Sequence, residues 1–193
     1  NIYLSVLNFA LDLLLKSVGL IILLFFYRFH FVEIQNPILY WLVLLLAEDF
    51  LYYLLHYVDH YCRFFWAVHV THHSSEEFNL TVGFRSSVLQ PLYRTFYFIP
   101  LALFGFRGED IALVYAMTQI YGILIHTKYI GKLGFLELFL STPSHHRVHH
   151  GSNPLYLDKN MGMLLIVWDK IFGTFQPELE EVPVKYGLTE NFK

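Results

Sequence analysis

Residues 37–60 read PILYWLVLLLAEDFLYYLLHYVDH, an apolar run that ends in two histidines. A hydrocarbon core about 30 Å thick needs about 20 apolar residues of helix. We expect one helix to continue past the apolar part to His60, where its far end leaves the lipid. His56 and His60 stand four positions apart, so they share one face of such a helix. The stretch therefore predicts a membrane helix with a polar site at one end.

The composition of the whole chain also indicates a membrane protein. Of its 193 residues, 55% are hydrophobic and 15% are charged, against roughly 45–50% and about 25% in soluble domains. The formal net charge is -3 and no basic tract stands out, which argues against a nucleic-acid-binding surface. Because Cys62 is the single cysteine, an intrachain disulfide framework and a cysteine-rich metal site are excluded.

Three further apolar blocks predict the rest of the architecture. Residues 5–27 are long enough to cross the membrane, and residues 91–106 and 111–127 predict a helical hairpin with a short polar turn. Four crossings place the polar stretches 58–90 and 128–193 on the same side. Lysines and arginines beyond the spans concentrate there, so this side is predicted to be cytoplasmic. The expected fold is all-α and integral to the membrane, with about four transmembrane helices.

The length of the chain predicts a single membrane-embedded domain over residues 1–193, with its core at 38–190. Because the sequence begins at Asn1 and not at methionine, we expect it to be a piece of a longer protein. The opening stretch lacks a basic n-region and a cleavage site, so it does not predict a signal peptide. The block at 91–106 is short and contains Pro100, so we expect it to be kinked or to cross only in part.

Eleven histidines stand out against this apolar background, and ten of them fall on the predicted cytoplasmic side. Most lie in the clusters HYVDH (56–60), HVTHH (69–73) and HRVHH (146–150), whose spacings place two or three imidazoles on one helical face. So many buried imidazoles would carry a desolvation cost without something to bind. His30 lies on the opposite side and fits an ordinary core or interface residue. The candidate metal ligands are His56, His60, His69, His72, His73, His126, His146, His149 and His150, with His145 directly before the last cluster.

The type and number of these ligands indicate two metal ions. Imidazole suits iron, zinc, copper and nickel, and eight or nine nitrogen donors exceed what one four-coordinate zinc can use. The sequence has neither an HExxH peptidase motif nor the Glu-x-x-His motif of soluble carboxylate di-iron bundles. A histidine-rich dinuclear centre with open coordination positions suits the activation of oxygen by iron.

Carboxylates near the histidines are candidates for orienting them, because a ligating imidazole usually donates its other N–H to a carboxylate or carbonyl. Asp49 lies on the helical face that holds His56 and His60, and an ionisable residue inside a span is a functional candidate by default. The alternative for Asp49 is a polar contact between helices. Asp59 and Glu76 fit solvated or capping positions better.

Two other classes of protein share some of these features. A divalent-metal transporter also has histidines within its membrane region, but they would follow a path through the bilayer, whereas these gather at one predicted face. A bis-histidine haem protein would place its histidines on facing helices near the middle of the bilayer, and a Soret band would identify it.

The three histidine motifs, in this order and with apolar blocks between the second and third, resemble the fatty acid hydroxylase/sterol desaturase superfamily of membrane di-iron enzymes. The resemblance extends to roughly residues 38–190. Four further segments are similar to the alkylglycerol monooxygenase branch and its bacterial relatives. They are FNLTVGFRSSVLQPLY (78–93), TPSHHRVHHGSNPLYLDKNMG (142–162), WDKIFGTFQPE (168–178) and VKYGLT (184–189).

The resemblance implies that the nine candidate histidines hold two iron ions, with His145 as a nearby or alternate ligand. Asn160 and residues 168–175 match the family's C-terminal signature, which implies that this part packs against the helices that carry the metal. Asp49 and Asn160 then belong to the surroundings of the ligands.

The same resemblance implies that the protein hydroxylates a C–H bond of a lipid with O2 and external electrons. The substrate would be a fatty acyl chain, an ether lipid or a sterol-like molecule, and desaturation stays open as the alternative reaction. Tetrahydrobiopterin, cytochrome b5 or a ferredoxin-type protein would donate the electrons. The metal site would face the cytoplasm, in a bacterial inner membrane or the endoplasmic reticulum.

Overall fold

A computed structural model describes residues 2–189, with side chains described from residue 10 onward. This part of the chain is helical, and its single β-interaction is an isolated antiparallel bridge between Leu140 and Leu165. The all-α prediction is therefore confirmed. The α-helices are α1 (Ile2–Tyr27), α2 (Pro37–Tyr61), α3 (Arg63–His73), α4 (Gln90–Leu103), α5 (Gly108–Leu124), α6 (Pro143–His149) and α7 (Val167–Phe172), with short 3-10 helices at Val82–Phe84 and Gly134–Leu138.

Two of these helices are long and apolar enough to cross a membrane: α1, over Ala10–Tyr27, and α2, over its full length. At 1.5 Å per residue, their 26 and 25 residues exceed a hydrocarbon core of about 30 Å. With 14 and 17 residues, α4 and α5 span only about 21 and 26 Å. Helices occur at all four predicted blocks, and the crossing of the membrane by α4 and α5 stays a prediction.

The chain divides into two compact units, of which the first comprises residues up to Leu51 together with Val88–Met117. Within it, α1 packs along α4. The contact is close because Gly19 has no side chain, and a Cβ at that position would lie 2.5 Å from Thr95 Oγ1. Large apolar side chains of α1 remain exposed, including Leu14 and Ile21, which suits a helix long and apolar enough to cross a membrane.

Polar contacts fix the beginning of α2 in this first unit. Asn36 caps the helix, because its Oδ1 accepts from the backbone N–H groups of Ile38 and Leu39 at 3.0 and 3.1 Å. The Tyr40 hydroxyl donates to Asp110 at 2.8 Å and accepts from the backbone N–H of Arg107 at 2.9 Å. These bonds tie α2 to the first turn of α5.

The second unit comprises Tyr52–Ser87 and the chain from Thr118 onward. It contains the last ten residues of α2, all of α3, α6 and α7, and long irregular connections. Its buried residues mix apolar side chains such as Leu55, Tyr156 and Ile166 with histidines. The segment before α6 is fixed by backbone bonds from Ser141 to Leu164 and from Ile166 to Phe139, both 2.9 Å. The histidines of α6 are thereby held in the interior.

Candidate metal centre

Nine histidines of the second unit form two groups in which the ligand nitrogens all lie within 4.8 Å of one another. The five-histidine group comes from α2, α3 and α6, and the four-histidine group from α3, α6 and the end of α5. These are the nine histidines that the sequence singles out. The first group is His56, His60, His69, His73 and His149, and the second is His72, His126, His146 and His150.

Helical geometry explains how each HxxHH motif serves both groups. With 3.6 residues per turn, positions i and i+4 point in similar directions, whereas position i+3 lies about 100° away from i+4. In α3, His69 and His73 therefore join the first group and His72 joins the second. In α6 the order is reversed, and His149 alone of that motif reaches the first group. The motif thus places its helix between the two groups, and the expectation that all of its imidazoles share one face is wrong.

The second ring nitrogen of several of these histidines faces an oxygen acceptor. Nδ1 of His56 donates to the Met161 carbonyl at 2.8 Å, and Nδ1 of His149 donates to the Lys159 carbonyl at 3.0 Å. In the second group the acceptors are the carbonyls of Arg85 for His72 (3.0 Å) and of Gly122 for His126 (2.6 Å). Carboxylates face two more, with Asp158 at 3.1 Å from His60 Nδ1 and Asp59 at 3.7 Å from His69 Nδ1.

These bonds determine which nitrogen is available to a metal. A carbonyl only accepts, so an imidazole bonded to it through Nδ1 carries its proton there and presents a lone pair at Nε2 when neutral. In the second group, the Nε2 atoms of His72 and His126 lie 3.4 Å apart, although both rings donate through Nδ1. Two lone pairs that face each other repel, and a cation between them removes the repulsion.

The separations between nitrogens fit ligands of a common ion. Metal–imidazole bonds of about 2.0–2.1 Å place neighbouring nitrogens about 3.0 Å apart at a right angle and about 3.4 Å apart at a tetrahedral angle. Nε2 of His69 lies 3.1 Å from that of His56 and 3.2 Å from that of His73. Nε2 of His126 lies 3.0 Å from that of His146 and 3.1 Å from that of His150. Both groups therefore have the dimensions of a metal site.

Three ring nitrogens in these groups are buried without a hydrogen-bond partner: Nε2 of His60, Nε2 of His149 and Nδ1 of His146. A buried polar atom without a partner is costly and requires an explanation. The first two belong to imidazoles whose Nδ1 is already engaged. A metal ion would satisfy the Nε2 atoms of His60 and His149.

Burial also keeps four of these imidazoles neutral. Desolvation, together with the neighbouring imidazoles, holds the pKa of His73, His149 and His150 well below the ordinary histidine value. The pKa of His146 is lowered in the same way. Only neutral histidine binds a metal, so these four histidines are in the binding form at neutral pH.

Other residues selected from the sequence lie outside both groups. His145 forms part of a capping box at the beginning of α6 with Thr142, and its Nε2 lies 4.0 Å from Glu137. Asn160 is buried and bonds to backbone atoms of His145 and Gln176. Asp49 is fully buried on α2, two turns before His56.

His30 belongs to neither group. It is exposed in the first unit, where it stacks on Tyr27 and bonds to its carbonyl.

In the second unit, Tyr53 bonds to Thr174 at 3.1 Å and stacks on Phe172. The contacts of Tyr53 confirm that the C-terminal signature packs against a helix that carries the histidines.

Two acidic residues beside the histidines are missed or undervalued by the sequence analysis. Asp59 fits a solvated position by sequence, yet it is fully buried and faces His69. The sequence did contain one indication of this role, because Asp59 lies within the HYVDH motif, directly before His60. Asp158 stands eight residues after the last motif, and no spacing rule connects it with His60. The carbonyl acceptors have no signal in the sequence, because every residue has a carbonyl.

A cavity of about 260 Å³ opens beside the first group. It is lined by His60, His73 and His149 of the first group, by His150 of the second group, and by Trp66 and Asp158. The first group, and His150 of the second, therefore border a space that a small molecule can reach.

Comparisons with known proteins agree with this site. Residues 41–174 match the fatty acid hydroxylase family. Human alkylglycerol monooxygenase is 48% identical over 149 residues, which are 77% of this chain and 33% of the human protein. The Xenopus tropicalis alkylglycerol monooxygenase is 44% identical over 163 residues, 84% of this chain and 36% of that protein. An ornithine lipid hydroxylase of Rhizobium tropici is 30% identical over 165 residues, 84% of this chain and 50% of that protein.

The chain belongs to the fatty acid hydroxylase family, whose members are associated with membranes, and within it to the alkylglycerol monooxygenase-like branch. It spans 33–40% of the length of three alkylglycerol monooxygenases that it matches. No solved structure was found to be significantly similar to it.

Proposed function

We propose that the nine histidines hold two iron ions and that the protein is a membrane oxygenase that hydroxylates a C–H bond of a lipid. The observation that carries the proposal is the convergence of five and four imidazoles into two groups of metal-site dimensions. Relatives named as a monooxygenase of alkylglycerols and a hydroxylase of ornithine lipids support a lipid substrate. This convergence of the histidines also argues against a divalent-metal transporter, whose histidines would follow a path through the bilayer.

Imidazole is a suitable ligand for iron, and His56, His60, His69, His73 and His149 would hold one ion while the other four histidines hold the second. When bound, the iron pair supplies the activation of O2. One oxygen atom enters the C–H bond, and the other leaves as water with two electrons and two protons from an external donor. Tetrahydrobiopterin, cytochrome b5 and a ferredoxin-type protein are the donors that we consider.

The protein's own residues orient the ligands and exclude water. Carbonyls and carboxylates at Nδ1 fix the ring positions, and seven of the nine histidines are buried. Exposed apolar residues of α1 and α2, such as Ile21 and Ile38, suit a location in lipid. We propose that this is the bacterial inner membrane or the endoplasmic reticulum, with the metal centre on the cytoplasmic side.

Metal analysis of the detergent-purified protein tests the centre. We expect about two irons per chain after anaerobic reconstitution with Fe(II), and less in a His149→Ala variant. His30→Ala is the matched control, because His30 belongs to neither group, and it should retain the iron of the unmodified protein. Absence of iron after reconstitution, or a Soret band from haem, would overturn the proposal.

Product analysis tests the reaction. The reconstituted protein would be supplied with 18O2, each candidate donor and three lipid classes: ether lipids, fatty acyl lipids and sterols. Hydroxylation adds one labelled oxygen to the product, whereas desaturation removes two hydrogens and adds no label. A labelled alcohol supports the proposal, and an unlabelled alkene identifies the desaturase alternative.

A further inference from the structure

Four consecutive residues, Asp158–Met161, supply acceptors to three histidines of the first group. The Asp158 carboxylate lies 3.1 Å from His60 Nδ1, the Lys159 carbonyl 3.0 Å from His149 Nδ1, and the Met161 carbonyl 2.8 Å from His56 Nδ1. Three of the five ligands thus depend on one short segment. We call this segment the strap.

The backbone of the strap has an unusual conformation. Among the described residues, Asp158 and Asn160 are the two non-glycine residues with positive φ, each 55°. Asp and Asn adopt this left-handed conformation more readily than other side-chain-bearing residues do. They flank Lys159, and the turns they make allow carbonyls two residues apart to reach histidines on different helices, α2 and α6.

Two side chains hold the strap in place. The Asn160 amide donates to the carbonyls of His145 and Gln176 at 3.1 and 2.7 Å, and its Oδ1 accepts from the Gln176 N–H at 2.9 Å. The buried Asp169 carboxylate accepts from the N–H groups of Met161 and Gly162, both at 2.7 Å. The carbonyl that orients His56 therefore belongs to a residue whose own N–H is fixed by Asp169.

The strap reaches only one of the two groups. In the second group, the acceptors for His72 and His126 are the carbonyls of Arg85 and Gly122, which lie in other parts of the chain. The hydrogen-bond acceptors that orient the two groups therefore come from separate segments of the chain.

We propose that the strap tunes the first metal position independently of the second, with Asp158, Asn160 and Asp169 as its positioning residues. This inference rests on the proposed function of the histidines as a dinuclear metal centre. An acceptor at Nδ1 fixes the ring and makes the opposite nitrogen a better donor.

Substitutions at Asp158 test the strap without threatening the fold, because 47% of this side chain is exposed. Asp158→Gly removes the acceptor and tolerates a positive φ. Asp158→Asn is the matched variant, since it retains an acceptor oxygen and also tolerates that conformation. Each protein would be titrated with cobalt(II) in competition with a chelator, and the visible spectrum of cobalt would report the coordination geometry.

We expect the unmodified protein to bind two cobalt ions. In Asp158→Gly, one of the two binding steps should weaken by about 10- to 100-fold with a changed cobalt spectrum, while the other step is unaltered. Asp158→Asn should restore most of that affinity. Asn160→Gly, which keeps the backbone conformation and removes the amide bonds, should weaken the same step.

Three results would overturn the inference. Equal weakening of both steps would show that the strap does not act on one position, and unchanged titrations in both glycine variants would show that it does not act at all. Asp158→Asn as weak as Asp158→Gly would exclude the acceptor as the cause. Fewer than two ions in the unmodified protein would overturn the dinuclear centre itself, which separates failure of the proposed function from failure of the strap.

Discussion

At the scale of single residues, backbone carbonyls do much of the orienting of the histidines. A carbonyl is not removed by substitution, so the sites that are sensitive to mutation are those where a new side chain would displace the backbone or the ring. Gly83 is one of them. A Cβ at Gly83 would lie 2.9 Å from Ile123 Cα and 3.2 Å from His126 Nδ1.

We expect Gly83→Ala to destabilise the protein and weaken metal binding by the second group. The first contact is with backbone, so it cannot be relieved by a change of rotamer, and overpacking of this kind costs about 1–3 kcal/mol. Thermal unfolding in detergent and iron content would measure the two effects. Gly131→Ala is the control, because a Cβ there meets nothing within 4 Å, and equal behaviour of the two variants would contradict the argument.

The buried imidazoles also imply a pH dependence of stability. In the folded, metal-free protein the pKa of His73, His146, His149 and His150 is lowered by burial, whereas the unfolded chain takes up protons near pH 6.5. The unfolded state therefore binds more protons below that pH. Stability is fully present above about pH 6.5 and falls as the pH decreases, by up to about 1.4 kcal/mol per pH unit and histidine.

Denaturant unfolding in the presence of a chelator, at several pH values between 7.5 and 5, would measure this slope. A His149→Ala variant should show a shallower slope than the unmodified protein, since one buried imidazole is removed. Stability that is constant or increases as the pH decreases would contradict the expectation.

At the scale of elements, α6 is anchored by Arg147, which lies between two histidines of the HRVHH motif. Its guanidinium donates to the carbonyls of Thr127 and Ile130 at 3.1 and 2.7 Å, and to the Glu178 carboxylate at 2.8 and 2.6 Å. Thr127 follows His126 directly. One side chain therefore connects α6 to the segment that carries His126, another member of the second group.

We expect Arg147→Met to destabilise the protein by about 1.5–3 kcal/mol, the usual range for hydrogen bonds to charged groups. The Arg147 and Glu178 side chains are 10% and 20% exposed, so water replaces the lost partner poorly. Lys128→Met is the control, because its pair with Glu77 is 3.7 Å long and 46% and 80% exposed, and such surface pairs contribute at most about 1 kcal/mol. Similar losses of thermal stability in the two variants would refute the anchoring role.

The helices could be predicted from the sequence because long apolar runs and the HxxHH spacing report local periodicity. α2 ends at Tyr61, one residue beyond the predicted end. The histidines that converge are the eight selected by motif spacing together with His126, which was selected by its position at the end of the fourth apolar block. The strap could not be predicted, because its positive φ angles at Asp158 and Asn160 and its carbonyl acceptors depend on tertiary bonds to Gln176 and Asp169. Irregular backbone of this kind has no periodic signal.

At the scale of the whole molecule, the two units differ in the kinds of side chain that they expose and bury. The first unit consists of helices whose large apolar side chains are largely exposed on α1, so its integrity depends on lipid or detergent and on helix packing. The second unit contains the nine converging histidines, seven of them buried, and their ring nitrogens face one another. The free energy of metal binding should therefore stabilise the second unit, since a ligand stabilises the state that binds it.

Hydrogen exchange measured by mass spectrometry, in the same detergent with and without bound metal, would separate the two units. At a free metal concentration about 100 times the dissociation constant, binding contributes about 2.7 kcal/mol, so amides that exchange by opening of the metal centre should slow about 100-fold. We expect this protection in α3 and α6, which each supply ligands to both groups. The amides of α1 and α4, which carry no ligand, are the internal control and should exchange at the same rate in both states. Equal protection in all four helices would mean that the protein opens as one cooperative unit, and no protection in α3 and α6 would mean that their histidines do not bind the metal.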